Sequence, residues 1–173
     1  MKGEQKGMAD AYVDGTFNND IPQGVHGLIN EVEPHPTINV RDADYVIVML
    51  GTNRGLTLNG DKTNYEAYRS LLSGMKSDMK EGAKLILCTP PYATTDTSKV
   101  NYGYMPYVRN AYSGVYNLAA EFDLTVFDVY RDSGFNAGNE DFLKPNDGLH
   151  FGGVGYKALA AFIADSLRQY ASE

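Results

Sequence analysis

Asp147 stands three residues before His150, in Asp147-Gly148-Leu149-His150, on a polar loop (Lys144-Pro145-Asn146) that leads into an amphipathic C-terminal segment. An imidazole that takes a proton from a hydroxyl needs its second ring nitrogen held by an acceptor, which selects the tautomer and stabilises the imidazolium. A turn of this length lets Asp147 reach His150 without help from elsewhere in the fold. The competing reading is that Asp147 merely caps a turn and His150 is an ordinary loop histidine.

A second group with chemical potential is Gly51-Thr52-Asn53, directly after the apolar run Tyr45-Val46-Ile47-Val48-Met49-Leu50. A side-chain amide at a strand end can donate to an oxyanion, and an adjacent glycine permits close approach of substrate or backbone. The alternative is a strand-to-loop turn in which Gly and Asn only supply unusual dihedrals.

The elements that position these groups alternate from residue 44 onward. Residues 44–50 predict a strand buried on both faces. Tyr65, Tyr68, Leu71, Leu72, Met75 and Met79 form the apolar stripe of a helix over 63–81, with Gly82 as its terminator. Residues 83–88 predict a second buried strand, stopped by Thr89-Pro90-Pro91. A tyrosine-rich loop runs to about residue 104. A helix carrying Val108, Ala111, Tyr112, Val115, Leu118, Ala119 and Phe122 follows, then a third strand over 124–129. The last helix starts near Gly153 and buries Leu159, Phe162, Ile163, Leu167 and Tyr170. Strands separated by helices of this length imply βαβ crossovers and a parallel sheet, with ligands beyond the strands' carboxyl ends. Residues 1–43 contain a turn-rich stretch at Asp14–Asp20 and a helix-breaking Pro34-His35-Pro36, with no repeat and no domain boundary.

The chain of 173 residues is long enough for one domain with a substantial core. Its 15 Lys+Arg against 22 Asp+Glu leave a net charge of −7, which disfavours nucleic-acid or anionic-membrane partners. No apolar run reaches membrane-spanning length, and the N-terminus lacks the apolar stretch of a signal peptide, so we expect a soluble chain. A single cysteine, Cys88, excludes an internal disulfide and reads as a small buried hydrophobe. His26, His35 and His150 lack paired-ligand spacing, and no phosphate-cradling glycine motif follows a strand. We therefore expect no metal and no cofactor.

Tyr45–Asn53 (YVIVMLGTN) and Asp147–His150 (DGLH) resemble the third and fifth conserved blocks of the SGNH, or GDSL-type, hydrolases, and the likeness covers roughly residues 43–170. The resemblance implies an α/β fold, a flavodoxin-like three-layer α/β/α parallel sheet. It implies hydrolysis of small esters or of acyl groups on carbohydrates. Carried over by position, His150 is the general base, Asp147 its orienter, and Asn53 the side-chain oxyanion donor with Gly51 beside it. Arg54 departs from the aspartate usual after that asparagine, which bears on loop geometry.

The larger departure is that the chain has no Gly-Asp-Ser, the block that carries the family's nucleophile, and no serine before Ser70. Ser98 and Ser133, on loops, are the least remote replacements. The simplest reading is a single domain over 1–173 that begins after the family's first strand, with 1–43 atypical or truncated. Gly3 or Gly7 would then be the remnant of the second block, Gly7 lying near the substrate. In the family's strand order, 2-1-3-4-5, loss of the first strand leaves an apolar edge on the strand over 45–50, which invites pairing. We expect residues 1–40 to repack there or the chain to self-associate. The functional expectation is an ester hydrolase domain that is inactive as this chain; the alternative is a non-catalytic carbohydrate- or ligand-binding module on the same fold.

Overall fold

The computed structural model describes residues 40–52, 56 and 63–172. Three strands and two long helices of these residues alternate as predicted: β1 (Tyr45–Val48), α1 (Thr63–Asp78), β2 (Lys84–Cys88), α2 (Met105–Phe122) and β3 (Thr125–Phe127). Two short helices follow, α3 (Val129–Asp132) and α4 (Glu140–Leu143), and then α5 (Gly153–Tyr170). The sheet runs in the order β1-β2-β3. β2 and β3 are parallel, with Ile86 opposite Thr125, Leu87 opposite Val126 and Cys88 opposite Phe127. This is an α/β fold with the helices as crossovers between strands.

The described residues fall into two compact units, one within Met1–Val46 and Lys62–Leu85, the other within Ile47–Asp61 and Ile86–Glu173. In the first, α1 buries Tyr65, Tyr68, Leu71, Leu72 and Met75, the expected stripe. The helix stops at Asp78, three residues before the predicted end. Residues 79–83 turn instead into β2: the Ala83 amide donates to the Lys80 carbonyl, and Gly82 adopts φ +82° within that turn. The Lys80 ammonium pairs with Asp44 at 2.7 Å. The Lys84 amide donates to the Asp44 carbonyl.

The second unit holds the catalytically suggestive segments. Its core is Ile86, Cys88, Phe127, Val129, Phe135 and Leu143. Burial pushes the Cys88 thiol up to about 12, so it stays protonated and behaves as a hydrophobe. Helix α2 begins at Met105-Pro106, where proline's fixed φ and missing N–H suit a first turn. It buries Met105, Val108, Ala111, Val115 and Leu118 at helical spacing and closes on Asp123, in a left-handed conformation. Helix α5 packs Leu159, Phe162, Ile163, Leu167 and Tyr170 against the core, but these side chains are half-buried rather than buried as predicted.

Two strands also differ from expectation. β1 is not buried on both faces: Val48 is buried, Val46 and Ile47 are half-buried and Tyr45 is exposed. The physical reason is its place at one end of the described sheet, with a strand neighbour on one side only. β3 ends at Phe127 because the next residue, Asp128, caps a helical turn through the Arg131 amide at 3.0 Å.

Candidate active site

Between α4 and α5 the chain makes one tight loop, and Asp147 organises it. Its Oδ1 accepts the backbone amides of Leu149, at 2.9 Å, and His150, at 2.8 Å. Its Oδ2 lies 2.6 Å from His150 Nδ1. The two readings of this motif are therefore both realised, one by each carboxylate oxygen: Asp147 caps the turn and also holds the imidazole. Burial alone would raise the Asp147 carboxyl, but the bond from the His150 ring and the two amides outweigh it and hold the group at about 2. An ionised Asp147 selects the Nδ1–H tautomer and leaves the Nε2 lone pair free to accept a proton. Among the described residues Asp147 is the side-chain partner of the ring, and the His150 side chain is 72% exposed.

The intervening residues fix the turn. Gly148 has φ +74°, a conformation in which a Cβ is strained. Its carbonyl accepts the Thr94 amide at 2.9 Å. Leu149 is buried in a cluster with Ala93, Met105 and Val108. Burying Leu149 pins the loop while leaving its neighbour, His150, in solvent.

Gly51 is the other predicted site residue that the structure describes. It has φ +112°, and a Cβ there would lie 2.7 Å from the Ala111 Cβ. This is a structural demand for glycine: the chain leaving β1 lies directly on α2. Leu56 makes a similar approach one helical turn on, at Gly114. Val108, clustered with Leu149, and Ala111, under Gly51, are three residues apart on α2. One turn of that helix thus brings the Gly51 loop and the Asp147–His150 turn to neighbouring positions. Asn53, Arg54, Gly3 and Gly7 lie outside the described residues.

The hydroxyls of both loop serines are bonded close to their own positions in the chain. Ser98 donates its hydroxyl to Asp96 at 2.7 Å, and Ser133 donates to the Val129 carbonyl at 2.5 Å.

Three groups around the turn are not evident in the sequence. Lys144, read there as part of a polar loop, is buried; its ammonium donates to the Tyr92 carbonyl and lies 4.4 Å from the Phe151 ring centroid. Burial pulls it down to about 8, against the opposing pull of Asp147 and Glu140. Glu140 is buried and accepts the Thr94 hydroxyl at 2.8 Å. Thr94 itself is fully buried. A nearby carboxylate, Asp128, gathers the ends of β2 and β3: it accepts from Thr89, Tyr112 and Tyr116 at 3.0, 3.1 and 2.8 Å. Burial, then the bond to Asp128, pushes the Tyr116 hydroxyl well up. Two of the many tyrosines thus serve as donors to a buried acid. No local pattern marks any of these residues, because their partners lie far away in sequence.

A parallel α/β sheet, with an Asp–His pair on a loop before the last helix, defines a hydrolase-like α/β protein. The particular family follows from comparison: residues 11–158 match the model of the GDSL-like lipase/acylhydrolase family, and the chain belongs to that family. Gly7 lies outside the matched segment. No curated protein matches the chain. Among solved structures, it is similar to a lipase/acylhydrolase from Enterococcus faecalis, with 28% identity over 73% of this chain and 62% of that one, at a TM-score of 0.54. It is also similar to a protein from Lactobacillus plantarum, with 18% identity over 75% and 68% of the two chains and a TM-score of 0.60. A peptidoglycan O-acetylesterase shares the fold at 20% identity, over 74% of this chain and 38% of that one, with a TM-score of 0.59. The chain thus spans about three fifths of the length of the Enterococcus faecalis relative. Among the described residues no helix is long and apolar enough to cross a membrane.

Proposed function

We propose that this chain is an ester hydrolase domain in which His150 is the general base and Asp147 its orienter. Asn53 is the side-chain donor to the oxyanion, with Gly51 beside it, and the substrates are small esters or acylated carbohydrates. The observation that carries the proposal is the 2.6 Å contact between Asp147 Oδ2 and His150 Nδ1, which leaves Nε2 as the basic atom. Membership of an acylhydrolase family supports ester chemistry. In this chemistry the base takes a serine proton as the hydroxyl attacks the acyl carbon, and backbone and amide donors hold the resulting oxyanion.

The proposal includes the absence of turnover by this chain alone, since the hydroxyls of Ser98 and Ser133 are engaged elsewhere. With p-nitrophenyl acetate and butyrate, the chain and its His150→Ala variant are expected to show equal, near-background rates. Hydrolysis that disappears with the imidazole would overturn the inactivity and reveal another nucleophile. The hydrolase reading itself predicts esterase activity, dependent on His150, in a polypeptide carrying an in-frame upstream Gly-Asp-Ser strand. A longer polypeptide of that kind that folds but cleaves no ester would sink it.

The edge of β1 belongs to the same proposal. Among the described residues β1 has a strand neighbour on one side, and Tyr45 within it and Met49 just after it are exposed, which favours association with a second copy. Size-exclusion chromatography is expected to give a concentration-dependent dimer. A monomer at all concentrations, with residues 1–40 protected from protease, would instead support repacking of that segment.

A further inference from the structure

We propose that Thr94 is a positioning residue for His150, its hydroxyl bond to Glu140 holding the Asp147–His150 turn in the geometry that selects the Nδ1–H tautomer. The inference rests on the reading of His150 as the base and extends it to two residues with no part in the motif.

Thr94 meets the turn in three ways. Its amide donates to the Gly148 carbonyl at 2.9 Å. Its Cβ and Cγ2 would each lie 2.4 Å from a Cβ on Gly148, so it walls the turn at the one residue whose backbone needs a left-handed conformation. Its hydroxyl donates to Glu140 Oε1 at 2.8 Å and accepts the Asp96 amide at 3.0 Å. Glu140 opens α4, whose last residue, Leu143, accepts the Gly152 amide through its carbonyl. The segment from Glu140 to Gly148 is therefore closed at both ends on one threonine. The side-chain bond holds its start and the backbone bond holds its end.

The chemistry of Glu140 argues against mere packing. The residue is 7% exposed, and its Oε2 has no hydrogen-bond partner among the described residues. A buried carboxylate with one unsatisfied oxygen is unfavourable, and an apolar side chain would fill the same space at less expense. A bond kept in spite of that fits a role in directing the turn. A second link, from Lys99 to Asp141 at 2.6 Å, ties the same loop to the next residue of α4, but at the surface, where such a pair contributes little.

The test reads the imidazole and does not need turnover. Long-range proton–nitrogen correlation spectra of the full chain, recorded where the ring is neutral, report the share of Nδ1–H against Nε2–H tautomer at His150. Thr94→Val keeps the amide, the branching and the volume, and removes only the hydroxyl. It is expected to lower the Nδ1–H to Nε2–H ratio by about fivefold, the scale of one hydrogen bond. Thr94→Ser is expected to restore the ratio. Glu140→Gln, which retains an acceptor oxygen, is expected to leave it unchanged, whereas Glu140→Leu, which removes the acceptor, is expected to lower it as Thr94→Val does and serves as the second variant if Thr94→Val does not fold. An unchanged ratio in Thr94→Val alongside a lower melting temperature would overturn the inference and reduce Thr94 to a packing residue. A ratio displaced in Glu140→Gln would also overturn it, by making the charge rather than the bond responsible. Failure of the reading of His150 as the base would show differently, as esterase activity in a longer polypeptide that persists in His150→Ala.

Discussion

Gly148→Ala is expected to lower the thermal unfolding midpoint by about 6–12 °C, whereas Gly134→Ala lowers it by only about 2–4 °C, at the sensitivity of a domain of this size. The two glycines have nearly the same φ, +74° at Gly148 and +78° at Gly134. Each alanine therefore pays a similar strain for a left-handed conformation, about 1–2 kcal/mol, partly offset by the stiffer unfolded chain. Their surroundings differ. A Cβ at Gly134 meets nothing within 4 Å, while one at Gly148 lands 2.4 Å from both Cβ and Cγ2 of Thr94. Overpacking of a branched, fully buried neighbour adds roughly 1–3 kcal/mol, which makes the difference between the two variants the measure of that wall. Circular-dichroism melts of both variants decide it; equal losses would mean that Thr94 yields easily and does not brace the turn.

The Asp147→Asn substitution separates the two duties of that side chain. The amide oxygen can still accept from the backbone N–H groups of Leu149 and His150, so the turn is retained. Toward the ring, however, an NH₂ replaces a carboxylate oxygen. Nδ1 must then accept, the proton moves to Nε2, and the basic lone pair points the wrong way. In a polypeptide that supplies the serine, kcat is expected to fall by about 10⁴ with KM little changed, the scale of wrong-tautomer defects in Ser-His-Asp sites.

The same carboxyl makes the fold acid-sensitive, and the direction follows from its position below the unfolded value. Its folded pKa is about 2. An unfolded aspartate titrates near ~3.9, so the stabilisation is fully present above that range and is lost as pH falls through the folded value. A shift of this size corresponds to at most about 2.5 kcal/mol, which we discount to about 1 kcal/mol because the ring is 72% exposed and the pair is screened. Urea unfolding of the chain and of Asp147→Asn should show a stability gap that closes as pH falls between about pH 4 and pH 2. A gap that widened with acid would contradict the assignment of the shift to Asp147.

Much of the architecture is legible in the residues. The α2 stripe of Val108, Ala111, Val115 and Leu118 appears at its predicted spacing, as does the start of α5 at Gly153. Long amphipathic periodicity is a strong signal because burial of one face decides it. The four-residue helices α3 and α4 were not legible, since so short a segment carries no period. Nor was the partial exposure of β1, which depends on whether a strand lies beside it rather than on its own apolar content.

The division between sequence and tertiary structure falls at the range of the interactions. Asp147 and His150 are joined by a turn of three residues, so their types and spacing put the pairing within reach, and the structure realises it together with the cap. Periodicity likewise determined the order of strands and helices. Only the folded chain decided that Thr94 reaches Glu140 across 46 positions, that Lys144 reaches the Tyr92 carbonyl across 52, and that Asp128 gathers Thr89 from 39 positions away. It also decided that Gly51 must be glycine, because Ala111 of α2 leaves no room for a Cβ. Contacts at that range depend on which loop folds over which helix, and neither partner carries a local sign of the other.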